Sequence, residues 1–413
     1  MILRVLCLVC LFVAPLVSAG TITLGLNYPQ TGRYAEQGRE QHCAAQMAVD
    51  EINASGGILG QTVRLATRDS RSRPDIAVAN VRELIVKEQA VMLFGGASSA
   101  VAIAAGKEAA RHDRLYFGTL TYSNATTGAE GHRYMFRETY NAWMAARVLA
   151  KTLNSQYAGQ RYFYLTADYT WGWSTEASLR RFTGTTDLQL NPGVKTPFPG
   201  ARLTHFRDAL KAAEASGAQV LVLVLFGDDM VRALTLAHQM GLKNKMAVVV
   251  PCLELGMAQK AGAGIMEGVI GAVPWSWQVP YQYDYPAGRK FVEAFSGRYK
   301  KRPSSSAASA YTIVYEYKDA VERAGTFDTA RVIAELEGHR YRRLKDDQYW
   351  RAFDHQSVQT VYAVCGKPWQ QVLQDPYRAD YFELIDSLAG EEAAGTQEER
   401  TEARKAAGKP SRL

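Results

Sequence analysis

Scarcity narrows the chemistry of this chain first. Its 413 residues hold five cysteines, and Cys7 and Cys10 fall in an apolar leader, so their C-x-x-C spacing carries no metal or redox meaning. Cys43, Cys252 and Cys365 remain, with no zinc-ligand spacing among them. An exported chain can form disulfides, but three thiols leave one over; Cys43 belongs to a helix face, and Cys252 with Cys365 is the candidate pair. Catalytic signatures are missing too. There is no H-E-x-x-H, and the seven histidines are scattered. Gly172-Trp173-Ser174-Thr175-Glu176 lacks the final glycine of a nucleophile elbow. Gly106-Lys107 lacks the flanking residues of a phosphate loop, and Gly262, Gly264 and Gly268 have the wrong spacing for a dinucleotide turn. No cofactor and no metal are therefore expected. Basic residues outnumber acids by 48 to 41 but form no stripe interleaved with aromatics, so nucleic acid is not an expected partner.

What is present begins with an export leader. Arg4 supplies the charge, Val5 to Val17 is almost wholly apolar, and Val17-Ser18-Ala19 is a small-x-small cleavage pattern. The run is shorter than the roughly 20 residues that span a membrane. No cysteine follows for lipid attachment. Residues 1–19 are expected to be a signal peptide and the mature chain a periplasmic protein. Cleavage removes Arg4 and no acid, so the formal charge falls from +7 to +6.

The mature chain alternates strand and helix patterns, which predicts α/β architecture with parallel sheets covered on both faces. Ile22, Leu24 and Leu26 alternate along a first strand, and a Pro/Gly turn leads to a helix with Ala45, Ala48, Val49 and Ile52 on one face. Buried strands follow at 90–94 and 115–117, with a helix at 100–112 between them. A second series starts after Arg137, with strands at 161–166, 220–226, 246–250 and 268–273. Phe94-Gly95-Gly96 and Phe226-Gly227 each end a strand and open a helix, so the two series read as two similar lobes. The last strand is placed at 359–364. Beyond Gly390 the chain is almost wholly polar, and the composition predicts a disordered tail at 391–413.

Ligands of open α/β sheets bind beyond the carboxyl ends of the strands, which selects the candidate site residues. Ser98 and Ser99 precede the 100–112 helix, whose start offers free N–H groups and the positive dipole end to a carboxylate; capping of that helix is the plain alternative. Thr119, Thr121 and Ser123 form a neighbouring hydroxyl cluster. Asp228 and Asp229 hold the matching turn of the second lobe, where Asp229 would pair an ammonium group or cap its helix. Glu254 is the other ammonium partner. Tyr169 and Trp171 sit in a strand-to-helix turn where rings can close over a ligand. Trp275 and Trp277 read as part of a strand leaving the second lobe.

Several stretches together resemble a known family. They are GRYAEQG (32–38), AVDEINASGGILGQTVRL (48–65), GGASSA (95–100), Phe136-Arg137, DYTWG (168–172) and Asp354-His355-Gln356. In this order they are similar to the type I periplasmic solute-binding proteins of ABC transporters, in the leucine/isoleucine/valine-binding group. The resemblance implies two doubly wound parallel-sheet lobes joined by three crossovers. Lobe 1 is then 20–140 with 275–347, and lobe 2 is 141–274 with 348–390. It implies that Ser99, the Thr121 backbone and Ser123 hold a ligand carboxylate. Tyr169 or Trp171, with Asp229 or Glu254, would come from lobe 2. Tyr34 and Gln37 match the first turn, which also lines the cleft in this group. Leu120 stands where the family commonly has proline.

The function expected is capture of a small polar solute, an amino acid or an amide or carboxylate relative, for delivery to an inner-membrane ABC permease, by a monomer without enzymatic activity. A sensor subunit for a membrane kinase or chemoreceptor would use the same cleft. An exported enzyme would need a constellation that the sequence does not display.

Overall fold

The computed structural model describes residues 20–413, so the expected signal peptide lies outside the described residues. Among these residues no helix is long and apolar enough to cross a membrane.

The first sheet is built from β1 (Thr21–Tyr28), β2 (Thr62–Asp69), β3 (Ala90–Gly95), β4 (Leu115–Gly118) and β5 (Met135–Arg137). All pairs are parallel, in the order β2-β1-β3-β4-β5. Parallel strands are covered on both faces, so their side chains are apolar on both. Met92 and Phe94 of β3 point into the core that holds α1 (Ala35–Ala54), while Leu93 joins a second cluster with Ala77, Leu84 and Ala102 from α2 (Pro74–Val86) and α3 (Ser99–Ala110). Small residues Ala44, Ala45 and Ala48 let α1 lie close, and it also packs on the helix Ser305–Ala324.

The second series gives α4 (Ala142–Gln156), β6 (Tyr162–Ala167), α5 (Thr170–Thr183), β7 (Gly193–Thr196), α6 (Leu203–Ala215), β8 (Val220–Val224), α7 (Asp228–Gln239), β9 (Ala247–Val250), α8 (Leu255–Ala261) and β10 (Ile270–Val273). After helices at Pro286–Tyr299 and Ser305–Ala324 the chain forms a small antiparallel sheet. Its strands are β11 (Arg340–Tyr341), β12 (Gln348–Trp350) and β13 (Ser357–Val358). It then returns as β14 (Val361–Gly366) and β15 (Phe382–Leu388). The second sheet runs β15-β14-β10-β9-β8-β6-β7.

Two α/β lobes with parallel sheets are thus present, with differences from the sequence reading. The second sheet is mixed, because β14 runs antiparallel to β10 and β15 antiparallel to β14. β7 and β15 went unread; β7 is short and polar, and Glu383 and Asp386 interrupt β15. Residues 348–358 pack on lobe 1 rather than lobe 2. Trp350 meets Phe117 and Phe136 edge-on at 5.5 and 5.6 Å, His355 stacks on Phe136 at 3.9 Å, and the Arg137 N–H donates to His355 O at 3.0 Å. The Trp275 segment is a turn, not a strand.

The tail differs most. Helices cover Gly390–Ala393 and Gln397–Ala406, the latter closed by a Thr396–Glu399 capping box. Buried Arg404 donates to Gly128 O and Gly131 O at 2.7 and 3.0 Å, and Arg181 of α5 pairs with Glu399 at 3.1 Å. The polar composition was correct, but the tail orders through side chain to carbonyl bonds rather than an apolar face. Cys252 and Cys365 do not pair: all three described cysteines are free, and Cys252 is buried between strand ends near Tyr140 and Trp171.

Candidate functional site

The carboxyl ends of both sheets face each other, and three turns meet there. From lobe 1 comes the β1–α1 turn with Arg33 and Tyr34. From lobe 2 come the β8–α7 and β9–α8 turns. The approach is tight enough to need glycine twice. Gly227 has φ +61°, and a Cβ there would lie 2.7 Å from the Tyr34 ring. A Cβ on Gly256 would lie 2.8 Å from Glu36 Cγ. Outside this contact a cavity of about 450 Å³ remains between Arg33, Gln37 and Arg39 on one wall and Asp228, Met257 and Lys260 on the other.

The lobe 1 edge is hydroxyl-rich. Ser98 is the residue before α3 and Ser99 its first residue, and Ser98 makes no side-chain capping bond. The Ser99 hydroxyl accepts from the Ser123 N–H at 2.9 Å instead. α3 therefore opens with first-turn N–H groups lacking helical partners. Thr119 donates to Gly96 O at 2.8 Å and so braces the glycine turn before α3. The Thr121 hydroxyl bonds Thr126 at 2.6 Å, and its carbonyl accepts from Arg137 at 3.1 Å. The Thr121 N–H makes no hydrogen bond among the described residues. The Ser123 hydroxyl crosses to lobe 2, meeting the Thr170 hydroxyl at 3.0 Å and the Ser174 hydroxyl at 3.2 Å.

The lobe 2 edge is aromatic and acidic. Trp171, in the first turn of α5, is 2 % exposed, and its indole N–H is buried without a partner. It packs edge-on against Phe226, which also meets Tyr34 and Tyr122 edge-on at 5.6 and 5.8 Å. Tyr169 stacks on Phe198 at 3.8 Å. These rings form one wall that spans both lobes.

Two charged contacts cross the cleft. Arg33 donates to Asp229 at 3.1 Å and lies 4.9 Å over the Phe198 ring. Asp229 caps nothing, since Gly227 holds the N-cap of α7. Burial pushes the Asp229 carboxyl above its ordinary range, against the pull of Arg33. Asp228 pairs instead with Lys260 at 2.6 Å. Glu254 precedes α8 and is fully buried; it accepts from the Ser305 and Ser306 hydroxyls, the latter at 3.1 Å. Burial pushes Glu254 up to about 7, partly offset by those hydroxyls.

Of the candidates, Gln37 lines the cavity; Tyr34, Ser123, Asp229 and Glu254 make contacts between the lobes, Trp171 and Tyr169 pack among the rings, and Ser98, Ser99, Thr119 and Thr121 stay on the lobe 1 edge. Both acids of lobe 2 already have partners on lobe 1. Sequence reasoning missed Arg33, Tyr122, Phe198, Phe226 and Ser305. Arg33 stands inside the quoted GRYAEQG turn and Phe226 ends a strand that was read, so their positions were visible but their facing partners were not.

A family model for periplasmic binding proteins matches residues 21–367. The chain belongs to the periplasmic binding protein family. Among curated relatives, Leu/Ile/Val-binding protein homolog 8 of Brucella abortus (strain 2308) is 26 % identical over 295 residues, covering 69 % of this chain and 72 % of the relative. A crystal structure of a periplasmic binding protein from Burkholderia mallei superposes with a TM-score of 0.82 at 24 % identity, covering 92 % of this chain and 97 % of the other. LivJ, a branched-chain amino acid transporter substrate-binding protein from Streptococcus pneumoniae solved with isoleucine, gives a TM-score of 0.73 at 19 % identity, covering 89 % and 99 %. The type I fold of this binding-protein family agrees with the arrangement described, and the C-terminal helix of this chain lies beyond the matched residues.

Proposed function

We propose that the chain is the periplasmic receptor of an ABC import system, binding a small carboxylate-bearing solute, an amino acid or close relative, between its lobes as a monomer and delivering it to an inner-membrane permease. The observation that supports this reading is the pairing of edges across the cleft. Lobe 1 offers the free first-turn N–H groups of α3 and the Thr121 N–H beside Ser99, and lobe 2 offers the Trp171–Phe226 ring wall. Donors at a helix start orient a carboxylate, and rings take an apolar side chain. Contacts to both lobes favour their closure by population shift. The isoleucine seen in LivJ has this combination of groups. No step of bond making is assigned to these residues.

Native mass spectrometry of the purified protein tests the reading directly. A retained mass of amino-acid size, displaced by an added amino acid, is the expected result. Calorimetry with the displacing amino acid should then show Ser99→Ala weakening binding about fivefold to tenfold, in keeping with a lost hydrogen bond of roughly 1 kcal/mol. No binding across a panel of amino acids, amides and short carboxylates would remove the proposal.

A further inference from the structure

A second cavity, of about 140 Å³, lies beneath the C-terminal helix Gln397–Ala406. Its wall includes Thr127, Arg137, Trp143, Arg351, Arg400 and Ala403, and none of the interlobe candidates named above. Two guanidinium groups here are buried without an ion pair of their own, although Asp354 and Glu399 also line the cavity and Asp354 attracts both. Arg137 is 1 % exposed; it donates to Gln356 Oε1 at 2.6 Å, to Thr127 Oγ1 at 2.8 Å and to the carbonyls of Thr121 and Ser123. Arg400 is 7 % exposed; its Nη1 donates to Ser411 O at 2.7 Å, while Nε and Nη2 are buried without partners. Trp143 Nε1 is a third buried donor with no partner. Arg351 is already paired with Asp354 at 2.6 Å, and Glu399 with Arg181 at 3.1 Å.

An unpaired buried cation is costly, and an unpartnered buried donor adds to the cost. Burial pushes Arg137 down to about 9 and lowers Arg400 as well. One anion inside the cavity would offset both charges and accept the free N–H groups. The volume is close to that of an engineered cavity that holds benzene, so about six non-hydrogen atoms fit. The Trp143 ring, the Ala403 methyl and the threonine methyls leave much of the wall apolar.

We propose that this cavity is a binding site for a small aliphatic monocarboxylate, held by Arg400 Nε and Nη2 with the Trp143 indole N–H, separate from the interlobe ligand. The site depends on the C-terminal helix, which the family match does not reach.

The test is calorimetry of the full mature chain with sodium butyrate at fixed ionic strength, with butan-1-ol as the uncharged control. Butyrate should bind saturably, and butan-1-ol should not. Arg400→Gln should weaken butyrate at least tenfold, which corresponds to about 1.4 kcal/mol. Ala403→Phe keeps every charge and changes an exposed helix position, so it blocks the cavity without unfolding the core; it should abolish binding. Ser99→Ala should leave butyrate affinity unchanged, which separates this site from the cleft. Absence of saturable binding up to about 20 mM would overturn the proposal, as would wild-type affinity in both Arg400→Gln and Ala403→Phe. Loss of butyrate binding in Ser99→Ala alone would overturn it too, by moving the ligand to the cleft.

Discussion

The two edges of the cleft solve different problems with different residues. Lobe 1 presents short hydroxyls and backbone donors, mostly braced within the lobe: Ser99 against the Ser123 N–H, Thr119 against Gly96, Thr121 against Thr126. Lobe 2 presents bulk, with Trp171 packed on Phe226, and two buried acids, Asp229 and Glu254, each bonded to lobe 1. Each lobe also sends one charged group across, Arg33 to Asp229 and Glu254 to the start of the Ser305–Ala324 helix. A braced donor edge fixes direction, because its hydrogen bonds tolerate little misalignment. An aromatic edge fixes fit, because ring contacts depend on how far the lobes approach. On the proposed function, orientation and closure would be divided between the lobes.

The largest effect expected from disturbing this division is at Gly227. Gly227→Val adds backbone strain of about 1–3 kcal/mol at positive φ and drives a side chain into the Tyr34 ring. Small-angle scattering should show a more open particle, and affinity for the interlobe ligand should fall at least a hundredfold with the helical signal intact. An unchanged particle size would mean that the close approach does not set closure.

Glu254 comes next. Burial holds its folded carboxyl at about 7 against 4.5 for the free group. Between those values the folded chain keeps a proton that the unfolded chain has lost. Its contribution is complete below pH 4.5 and is lost as pH rises through 7, by at most about 3 kcal/mol. Glu254→Gln should flatten the fall in melting temperature between pH 5 and 7. Glu316, buried beside Arg343 and also pushed up to about 7, leaves a residual slope. An undiminished slope in Glu254→Gln would assign the whole effect elsewhere. The smallest effect is at the Arg33–Asp229 pair. A double-mutant cycle with Arg33→Gln and Asp229→Asn should give a coupling of roughly 0.5–1 kcal/mol in ligand affinity, since Arg33 is partly exposed and screened. Zero coupling would make the pair incidental to closure.

Most of the fold was legible because its strands are apolar runs bounded by glycine. Ala90–Gly95 and Val220–Val224 announce themselves, and glycine turns locate their carboxyl ends. The hydroxyls and acids near those ends were legible for the same reason. Partnership was not. Nothing local tells Glu254 that Ser305 faces it across 51 residues, or Arg33 that Asp229 lies opposite across 196. The tail helix was unreadable in another way. Its anchor is one arginine, Arg404, reaching the carbonyls of Gly128 and Gly131, and composition rules count such a residue as solvated.

The strands of chain that pass between lobes are also fastened to one another. Lys345 donates to both Pro274 O and Thr360 O at 2.6 Å, Gln356 to Thr139 O at 2.8 Å, and Gln359 to Glu138 O. Three parallel tethers lashed side by side resist sliding and shear while still permitting a swing about their common waist. Such lashing favours a pivot over a slide, and a substitution that cut it, such as Lys345→Met, would loosen the register between the two edges.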